Sequence, residues 1–481
     1  MNISQTVEDV SMIDTNPLIS PLVNSKLQLV HNTNWKTVEV NGQDITIPSA
    51  WDVKSIGSEI KFTLGHTPVK KGDNYNGKTP WITISNLDQS GYVKRFTALV
   101  KSDKTRVLPK GSLVGSFKMT IGRFGILEMD AITNEAIVGA SPDDAPNHVL
   151  TYLRFALVLP FKQGAVTNGQ GVQLLNTKTI KSLEFIAPPK HNQFFIAQTL
   201  TNQEDHIASL KQQSSIQRKR LDWLTDELLS GRIRVEEDVN GQPTVLKRDE
   251  HGNAVDSLPA VKLVANTDWK TVEVNGEEVK IPQDWECKML KDVTTVVTGN
   301  TPSTNNQNYW TESSKSGIPW VTTPDIKQQN GIINYSNKYL TQHGAGVGRV
   351  CPKGTVLVSC IATIGEVGVL IVPASFNQQI NGILPSILIN SDYIRHFFFY
   401  HKTAVENMAV QSVVKIINKS TFEKFEILLP KIKEQTLIAK ILTAQEEYIA
   451  SLDQMIAIEE KRLIWLTDEL LSGRILIQEV K

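Results

Sequence analysis

The groups in this chain best suited to act on another molecule are cations and amides. Lys70, Lys71, Lys78, Lys94, Arg95, Lys101, Lys104, Arg106, Lys118 and Arg123 fall within one stretch of the first half. Cations at this density suit phosphate contacts, which release condensed counterions and are made without regard to base sequence. The second half offers Asn305, Asn306, Gln307 and Asn308 in one loop, and Lys327, Gln328 and Gln329 in another. An amide donates and accepts at once, so it can satisfy a base edge bidentately. The formal net charge is zero, but it is unevenly spread. Residues 48–187 carry 17 Lys/Arg against 11 Asp/Glu, a net +6; residues 282–427 carry 12 against 10, a net +2; the remaining 195 residues carry 21 against 29, a net −8. Positive charge therefore collects where phosphate contacts would be needed. The bland alternative for both clusters is an ordinary solvated surface.

Catalytic signatures are scarce. Gly72-Asp73-Asn74-Tyr75-Asn76-Gly77-Lys78-Thr79 satisfies the phosphate-loop pattern. That chemistry needs a buried strand before the loop and a helix after it, so that backbone N–H groups meet the phosphates. The preceding His66–Lys71 does not read as a buried strand, and Pro80–Ile84 does not read as a helix start. The second half keeps the Pro-Trp pair after the loop and lacks the motif. A polar Gly/Asn loop is the better reading. Pro324-Asp325 and Glu286-Cys287-Lys288 hint at a nuclease carboxylate cluster, but in the wrong order. No HExxH, paired Cys/His spacing, G-x-S-x-G or dinucleotide glycine motif is present. A chain of 481 residues, enough for two to four domains, thus reads as a recognition component rather than an enzyme. The three cysteines, Cys287, Cys351 and Cys360, form no CxxC pair. They fit a reducing cytoplasm better than a disulfide or zinc framework. The N-terminus does not read as a signal peptide, and no apolar run approaches the ~20 residues that span a bilayer. A cytoplasmic location is expected.

The elements that must position these groups come in two copies. Asn32–Gly42 reads NTNWKTVEVNG and Asn266–Gly276 reads NTDWKTVEVNG; Arg220–Ile233 reads RLDWLTDELLSGRI and Arg462–Ile475 reads RLIWLTDELLSGRI. The last pair differs only at Asp222 against Ile464. Apolar alternation around Asn41-Gly42 and Asn275-Gly276 predicts two β-hairpins with two-residue turns. The middles that follow are rich in short β-like runs, and they share an outline. Pro80-Trp81 matches Pro319-Trp320; Pro109–Leu113 matches Pro352–Val356; Thr120-Ile121-Gly122 matches Thr363-Ile364-Gly365; Asn134–Ile137 matches Asn377–Ile380. These positions read as turns and core, the two tryptophans included.

Each half closes with a helical stripe. Ile196, Leu200, Gln203, Ile207, Leu210, Ser214, Gln217, Leu221, Leu224 and Leu228 are spaced alternately by four and three, as are Ile438, Leu442, Gln445, Ile449, Leu452, Ile456, Glu459, Leu463, Leu466 and Leu470. This is a heptad seam rather than a broad amphipathic face. Pro188-Pro189 and Pro430 mark the starts, and Gly231 and Gly473 the stops. Each helix of about 40 residues runs roughly 60 Å. Each seam needs a partner, and the chain supplies an equivalent one, so the helices should pair within the molecule. The expected fold is α+β: two mixed, mostly β domains with leading hairpins (27–187 and 266–429), two long helices (188–231 and 430–473), a polar extension (1–26), a charged linker (232–265) and a tail (474–481).

At this point the pattern resembles the specificity (S) subunit of type I restriction–modification systems over about 27–477. The carriers are Ile318-Pro319-Trp320-Val321, Gly354 with Thr363-Ile364-Gly365, Asn377-Gln378, the tandem modules and the repeated phrase ending in LLSGRI. The resemblance implies two target-recognition domains, each reading one half of a split asymmetric site in double-stranded DNA. It implies that the helices form an antiparallel coiled coil, a pseudo-two-fold ruler between the domains. It also implies two methylation (M) subunits that methylate adenine with S-adenosylmethionine. Two restriction (R) subunits can add ATP- and Mg-dependent translocation and cleavage. No cofactor is expected on this chain. The competing readings are a two-headed protein-interaction adaptor on the same coil, which salt-dependent duplex binding would exclude, and a phosphate-loop enzyme, which ATP binding would favour.

Overall fold

The structure is a computed structural model that describes residues 27–68, 75–88, 91–101, 107–167, 169, 171, 173–238, 240–242, 244–248, 254–409 and 415–479. The expected polar extension 1–26, with Lys70, Lys71, Lys104 and Arg106, lies outside these residues. The chain forms two compact units. Unit 1 comprises residues 1–213 and 452–481, and unit 2 residues 214–451.

The hairpins form where Asn-Gly placed them. Trp35–Val40 pairs with Gln43–Pro48, and Trp269–Val274 with Glu277–Pro282. Asn41 and Asn275 have φ of 50°, and Gly42 and Gly276 φ of 79° and 86°. Two left-handed central residues give the turn a twist that matches its strands. Each turn asparagine also clasps the strand that leads to the long helix. Asn41 Nδ2 donates to the Glu184 carbonyl at 2.9 Å and Asn41 Oδ1 accepts from Glu184 N–H at 2.8 Å; Asn275 does the same with Glu426 at 3.0 and 2.9 Å.

The middles fold alike. In unit 1 a five-stranded sheet runs in the order Thr63–Leu64, Ile137–Ala140, Leu113–Ser116, Phe124–Leu127, Tyr92–Val93. Unit 2 repeats it as Val296–Thr298, Ile380–Ile383, Val356–Ser359, Val367–Leu370, Ile332–Ile333. In both, the first three pairings are antiparallel and the last is parallel. A second sheet has three strands in unit 1 (Ile132–Thr133, Thr79–Ile82, Ala98–Val100). In unit 2 it has four, with Trp310–Thr311 added at the edge. The matched tryptophans serve the same joint. The Trp81 indole donates to the His66 carbonyl at 3.3 Å, and that of Trp320 to the Asn300 carbonyl at 3.0 Å. Trp320 is buried, as a core residue should be, whereas Trp81 is half-buried.

A repeated pair of contacts seats each module on a long helix. Tyr152 and Tyr393 are fully buried and donate to the carbonyls of Ile186 and Leu428, each at 2.8 Å. Beside them, Arg154 meets Glu204 at 3.1 and 2.5 Å, and Arg395 meets Glu446 at 3.4 and 2.7 Å. Burial pushes the Glu204 carboxyl above its ordinary range, and the Arg154 guanidinium opposes that shift. Removing one partner of such a pair would strand a buried charge.

The long helices run Lys190–Leu229 and Ile432–Ser472. Of the seam residues, Ile196, Leu200, Ile207, Leu210, Leu224, Leu228, Ile438, Leu442, Ile449, Leu452, Leu466 and Leu470 are buried. Leu221, Ile456 and Leu463 are half-buried. Seam polar groups also find partners: within unit 1 Gln203 donates to the Glu459 carboxylate at 2.6 Å, and within unit 2 Gln445 donates to Gln217 Oε1 at 2.9 Å. Both stretches expected to be connecting chain carry strands. Ile233–Glu237 pairs with Val261–Ala265, and Thr244–Arg248 with Ala254–Leu258, inside the supposed linker; Ile475–Glu479 of the tail pairs with Leu27–His31.

Each long helix ends on a left-handed glycine, Gly231 (φ 72°) and Gly473 (φ 73°). A Cβ at Gly231 would lie 2.5 Å from Pro282 Cγ and 3.2 Å from the Trp285 ring; one at Gly473 would lie 2.3 Å from Pro48 Cγ and 3.0 Å from the Trp51 ring. Trp51 and Trp285 are buried. Gly42 is also left-handed, but nothing lies within 4 Å of its Cβ position. Gly42→Ala should therefore cost only the backbone term, about 1–2 kcal/mol. Gly473→Ala should cost clearly more, because Pro48 or Trp51 must also move. Chemical denaturation of both variants measures the difference; equal losses would show that the glycine–proline contact carries no energy.

Candidate nucleic-acid interface

The basic residues of the first module gather in three places. Thr79–Ile82 pairs antiparallel with Ala98–Val100, Thr79 opposite Val100. This register sets Lys78 and Lys101 side by side at one end of the pair, and both are exposed. Gly77 is required there, since its Cβ would overlap the backbone of Val100 and Lys101 at 1.8–2.1 Å. Lys94 and Arg95 are exposed beyond the other end of the same pair, and Lys94 Nζ stands 5.8 Å from the centre of the Tyr92 ring. The third group is Lys118 and Arg123, which flank the tight loop between Leu113–Ser116 and Phe124–Leu127. Lys118 Nζ lies 5.2 Å from the Phe117 ring centre, and Arg123 is exposed.

In the second module the amides divide by role. Asn305, Gln307, Asn308 and Gln328 are exposed. Asn306 caps the short turn Gln307–Tyr309 by accepting from Asn308 N–H at 3.1 Å. The Asn308 carbonyl accepts from Thr341 Oγ1 at 2.6 Å, which ties this turn to the helix Gln342–Val347. Gln329 engages its own loop instead of solvent. Its Nε2 donates to the carbonyls of Asp325 (3.1 Å) and Tyr335 (2.9 Å), and its Oε1 accepts from Asn334 N–H (2.9 Å) and Tyr335 N–H (3.3 Å). Gln328 accepts from Asn337 at 3.4 Å, and Lys327 lies 3.6 Å from Glu366. Glu366 also binds Lys402 at 2.8 Å, a cation the sequence patterns did not single out.

The features that suggested catalysis dissolve into structure. Lys78-Thr79 leads into the strand Thr79–Ile82, so a helix N-terminus does not follow the phosphate-loop pattern. Asp325 is buried; it accepts from Thr322 N–H at 2.7 Å and Asn337 N–H at 3.0 Å, and caps the helix Thr323–Gln328. The cysteines are free thiols, and burial pushes Cys287 and Cys351 up to about 11 and Cys360 to about 12, away from thiolate reactivity. Among the described residues, no helix is long and apolar enough to cross a membrane.

The two modules thus share one sheet order, and each carries exposed cations or amides around it. Comparison with known sequences goes further. The chain belongs to the family of the type I restriction modification DNA specificity domain, which matches residues 48–218 and 282–462. It is 31% identical over 199 residues to the type I restriction enzyme MjaIX specificity subunit of Methanocaldococcus jannaschii, covering 40% of this chain and 45% of that one. It is also 31% identical over 219 residues to the HindI specificity subunit of Haemophilus influenzae, covering 44% and 45%. The matches thus span about half the length of these two relatives. A putative MjaX specificity subunit from M. jannaschii is 24% identical over 442 residues, covering 88% of this chain and 92% of that one. In fold, the chain is similar to the crystal structure of a type I restriction–modification S subunit from M. genitalium, with a TM-score of 0.51 at 13% identity over 91% of this chain and 98% of that one.

The strand after Lys78 makes a direct prediction. Lys78→Ala should leave ATP binding by the chain at background. It should also lower the salt slope of duplex binding by about one unit if Lys78 touches a phosphate. Equilibrium binding with labelled ATP and with duplex measures both. An ATP affinity that vanishes in the variant would restore the nucleotide-binding reading.

Proposed function

We propose that this chain is the DNA-reading, non-catalytic subunit of a type I restriction–modification complex, with each module reading one half of a split, asymmetric site. The observation that carries this is the repeated five-stranded sheet, built in the same order in both units from largely different sequences. A fixed frame with different exposed side chains suits two different half-sites. The net positive charge of both modules supplies the phosphate term. Duplex binding by the purified complex should weaken steeply as salt rises. Binding that ignores salt would favour the protein-interaction adaptor.

The long helices serve in this proposal as an antiparallel coiled coil that sets the spacing of the half-sites. From Gln203 to Gln217 the first helix advances 14 residues; their partners Glu459 and Gln445 retreat by 14. That reversal supports antiparallel pairing along one seam. Outside the seam the helices expose Ile216, Trp223 and Tyr448 in unit 2, and Met455, Ile458 and Ile464 in unit 1. Large apolar groups on an outer surface suit a partner protein, here the methylation subunits. S-adenosylmethionine would be bound there, and ATP and Mg on restriction subunits, with adenine as the methylated base.

The duplication makes a further prediction about half of the molecule. In unit 1, Leu27–His31 is completed by Ile475–Glu479; in unit 2, Val261–Ala265 is completed by the equivalent Ile233–Glu237. A fragment of residues 1–240 lacks the former strand and carries the latter, so two copies can complete each other about a two-fold axis. One side chain opposes this. Arg234 meets Glu434 at 2.7 Å and Asp284 at 2.9 Å, whereas the matching positions of the first half hold Asn192 and Ala50, and Arg234 itself matches Leu476. In the fragment dimer Arg234 would lose both carboxylates. Arg234→Leu should therefore tighten the dimer by about tenfold, or roughly 1.4 kcal/mol. Sedimentation measures the dimer, and sequencing of DNA methylated by the fragment with its methylation partner should show an inverted repeat of one half-site. A monomeric fragment, with or without the substitution, would refute the exchange.

A further inference from the structure

Five residues other than glycine have a left-handed backbone among the described residues: Asn41, Met119, Asn275, Asn330 and Ala362. Asparagine enters this region readily because its short amide compensates locally. Met119 and Ala362 have no such help, and they occupy the same position of the two modules, immediately before Thr120-Ile121-Gly122 and Thr363-Ile364-Gly365. Their φ angles, 63° and 65°, are nearly the same. A strained conformation kept in both modules by two unlike residues is held there by its surroundings.

Those surroundings are the same in kind. The loop is pinned at its neck by a serine. Ser116 Oγ donates to the Thr120 carbonyl and accepts from Arg123 N–H at 3.1 Å; Ser359 Oγ donates to the Thr363 carbonyl at 2.6 Å and accepts from Glu366 N–H at 2.9 Å. It is braced from the side, since Met119 N–H donates to the Gln173 carbonyl at 2.9 Å, and Ala362 N–H to the Lys415 carbonyl at 3.1 Å. It is anchored below by buried Phe117 and Ile121 in one module, and Cys360 and Ile364 in the other. Only the tip protrudes. Met119 is 68% exposed, and Thr120, Ala362 and Thr363 are exposed with it. A core role does not account for a methionine here, because glycine would take the same backbone without strain. Beside the tip, the first module places Lys118 and Arg123, with Lys162 against Gly122. The second places Lys415, and Glu366 bound to Lys402.

We propose that these two loops are base-contacting elements, with Met119 and Ala362 as the specificity-determining side chains of their half-sites and Lys118 and Arg123 on flanking phosphates. The inference rests on the DNA-reading function and adds to it the atoms that read. A braced tip holds an apolar group beside cations; methionine or alanine there can contact the thymine methyl group, and methionine can also enter a base step. The exposed threonine hydroxyl beside each can pair with either a donor or an acceptor edge. The shared threonine and the unlike neighbour give one frame two preferences.

The test uses the full chain with its methylation partner and a pool of randomised duplexes, bound, selected and sequenced. Met119→Gly should melt no lower than the parent. It should also bind the parent's preferred duplex roughly tenfold more weakly, the scale of one lost base contact. Its preference should relax within one half-site, and Ala362→Gly should alter only the other. Met119→Asn keeps the backbone and presents an amide, so it should shift the preference at that position rather than abolish it. Lys118→Ala with Arg123→Ala should leave the preference intact and lower the salt slope by about two units, one per phosphate. A Met119→Gly complex that selects the parent's sequence with the parent's affinity would overturn the proposal while leaving DNA reading in place. A parent complex that selects no sequence would overturn the DNA reading and this inference together.

Discussion

The contact on which the molecule depends is the one made where each long helix stops. A left-handed glycine lets the chain reverse against a proline and a buried tryptophan, and in both cases these belong to the other repeat. Gly231 ends the first helix but sits on Pro282 and Trp285; Gly473 ends the second but sits on Pro48 and Trp51. Any side chain at the glycine would strike the ring it must approach. The strand that follows each glycine then completes a pair begun in that other repeat. Unit 1 is therefore built from two separated stretches of chain, unit 2 from one stretch that begins inside the first long helix and ends inside the second, and neither repeat is a complete unit by itself. This exchange explains why the end phrases of the two halves are almost the same while the middles differ. The phrases must fit each other's hairpins, whereas each middle need only fit its own core.

Around this frame the two units differ at positions where the frame permits it. The Tyr152 and Tyr393 hydroxyls and the Arg154–Glu204 and Arg395–Glu446 pairs recur with the same partners in kind. They fix each module to its helix through groups whose loss would leave buried polar atoms unpaired. Arg234 with Glu434 and Asp284 has no such counterpart, its matching residues being Leu476, Asn192 and Ala50. The guanidinium is held strongly protonated, chiefly through its hydrogen bonds to Glu434, against the cost of desolvation. A site that is ionic in one unit and uncharged in the other discriminates between correct and exchanged assembly, because the wrong pairing strands a charge. The difference between Asp222 and Ile464, the one change in the helical phrase, falls on the surface instead. Ile464 is 71% exposed and helps line a groove of about 720 Å³ in unit 1, while in unit 2 Tyr400 donates to Asp226 on the same turn as Asp222.

What was legible in the sequence is what local chemistry decides. Asn41-Gly42 and Asn275-Gly276 sit in turns whose backbone few other residues adopt, and the alternation around them has only one hairpin register that buries its apolar face. The seams from Ile196 to Leu228 and Ile438 to Leu470 have a period that no strand can use. Sheet order was hidden, because Thr63–Leu64 meets Ile137–Ala140 across more than seventy residues and two-residue strands carry no periodic signal. The strands in the supposed linker were hidden for a different reason. Ile233–Glu237 alternates weakly and is charged at its end, and only its distant partner makes it a strand. Side-chain chemistry alone misled at Gln329. An amide in a polar loop looks available to a base, yet all four of its bonds close the loop that carries it. Met119 was passed over because methionine gives no turn signal; the clue was its place directly before a Thr-Ile-Gly shared by both halves.

A chain that reads two sequences, as proposed for this one, faces opposed demands. Its contact atoms must be held firmly enough to distinguish bases, which asks for rigid support, and they must be replaceable without unfolding the support. The loop at Met119 meets both. Its neck, brace and floor are made by Ser116, by the backbone of Gln173 and by buried Phe117 and Ile121, none of which depends on what residue 119 is. The second unit shows the substitution already made, with Ala362 on the same backbone. Because the neck, brace and floor are bonds and side chains of other residues, a change of side chain at the tip leaves them in place. Changes elsewhere are not so contained: a new side chain at Gly473 reaches the Trp51 core, and one at Arg154 reaches the long helix. On the proposed reading, supporting and reading atoms are separated by which contacts are made by backbone and buried rings, and which by a largely exposed side chain.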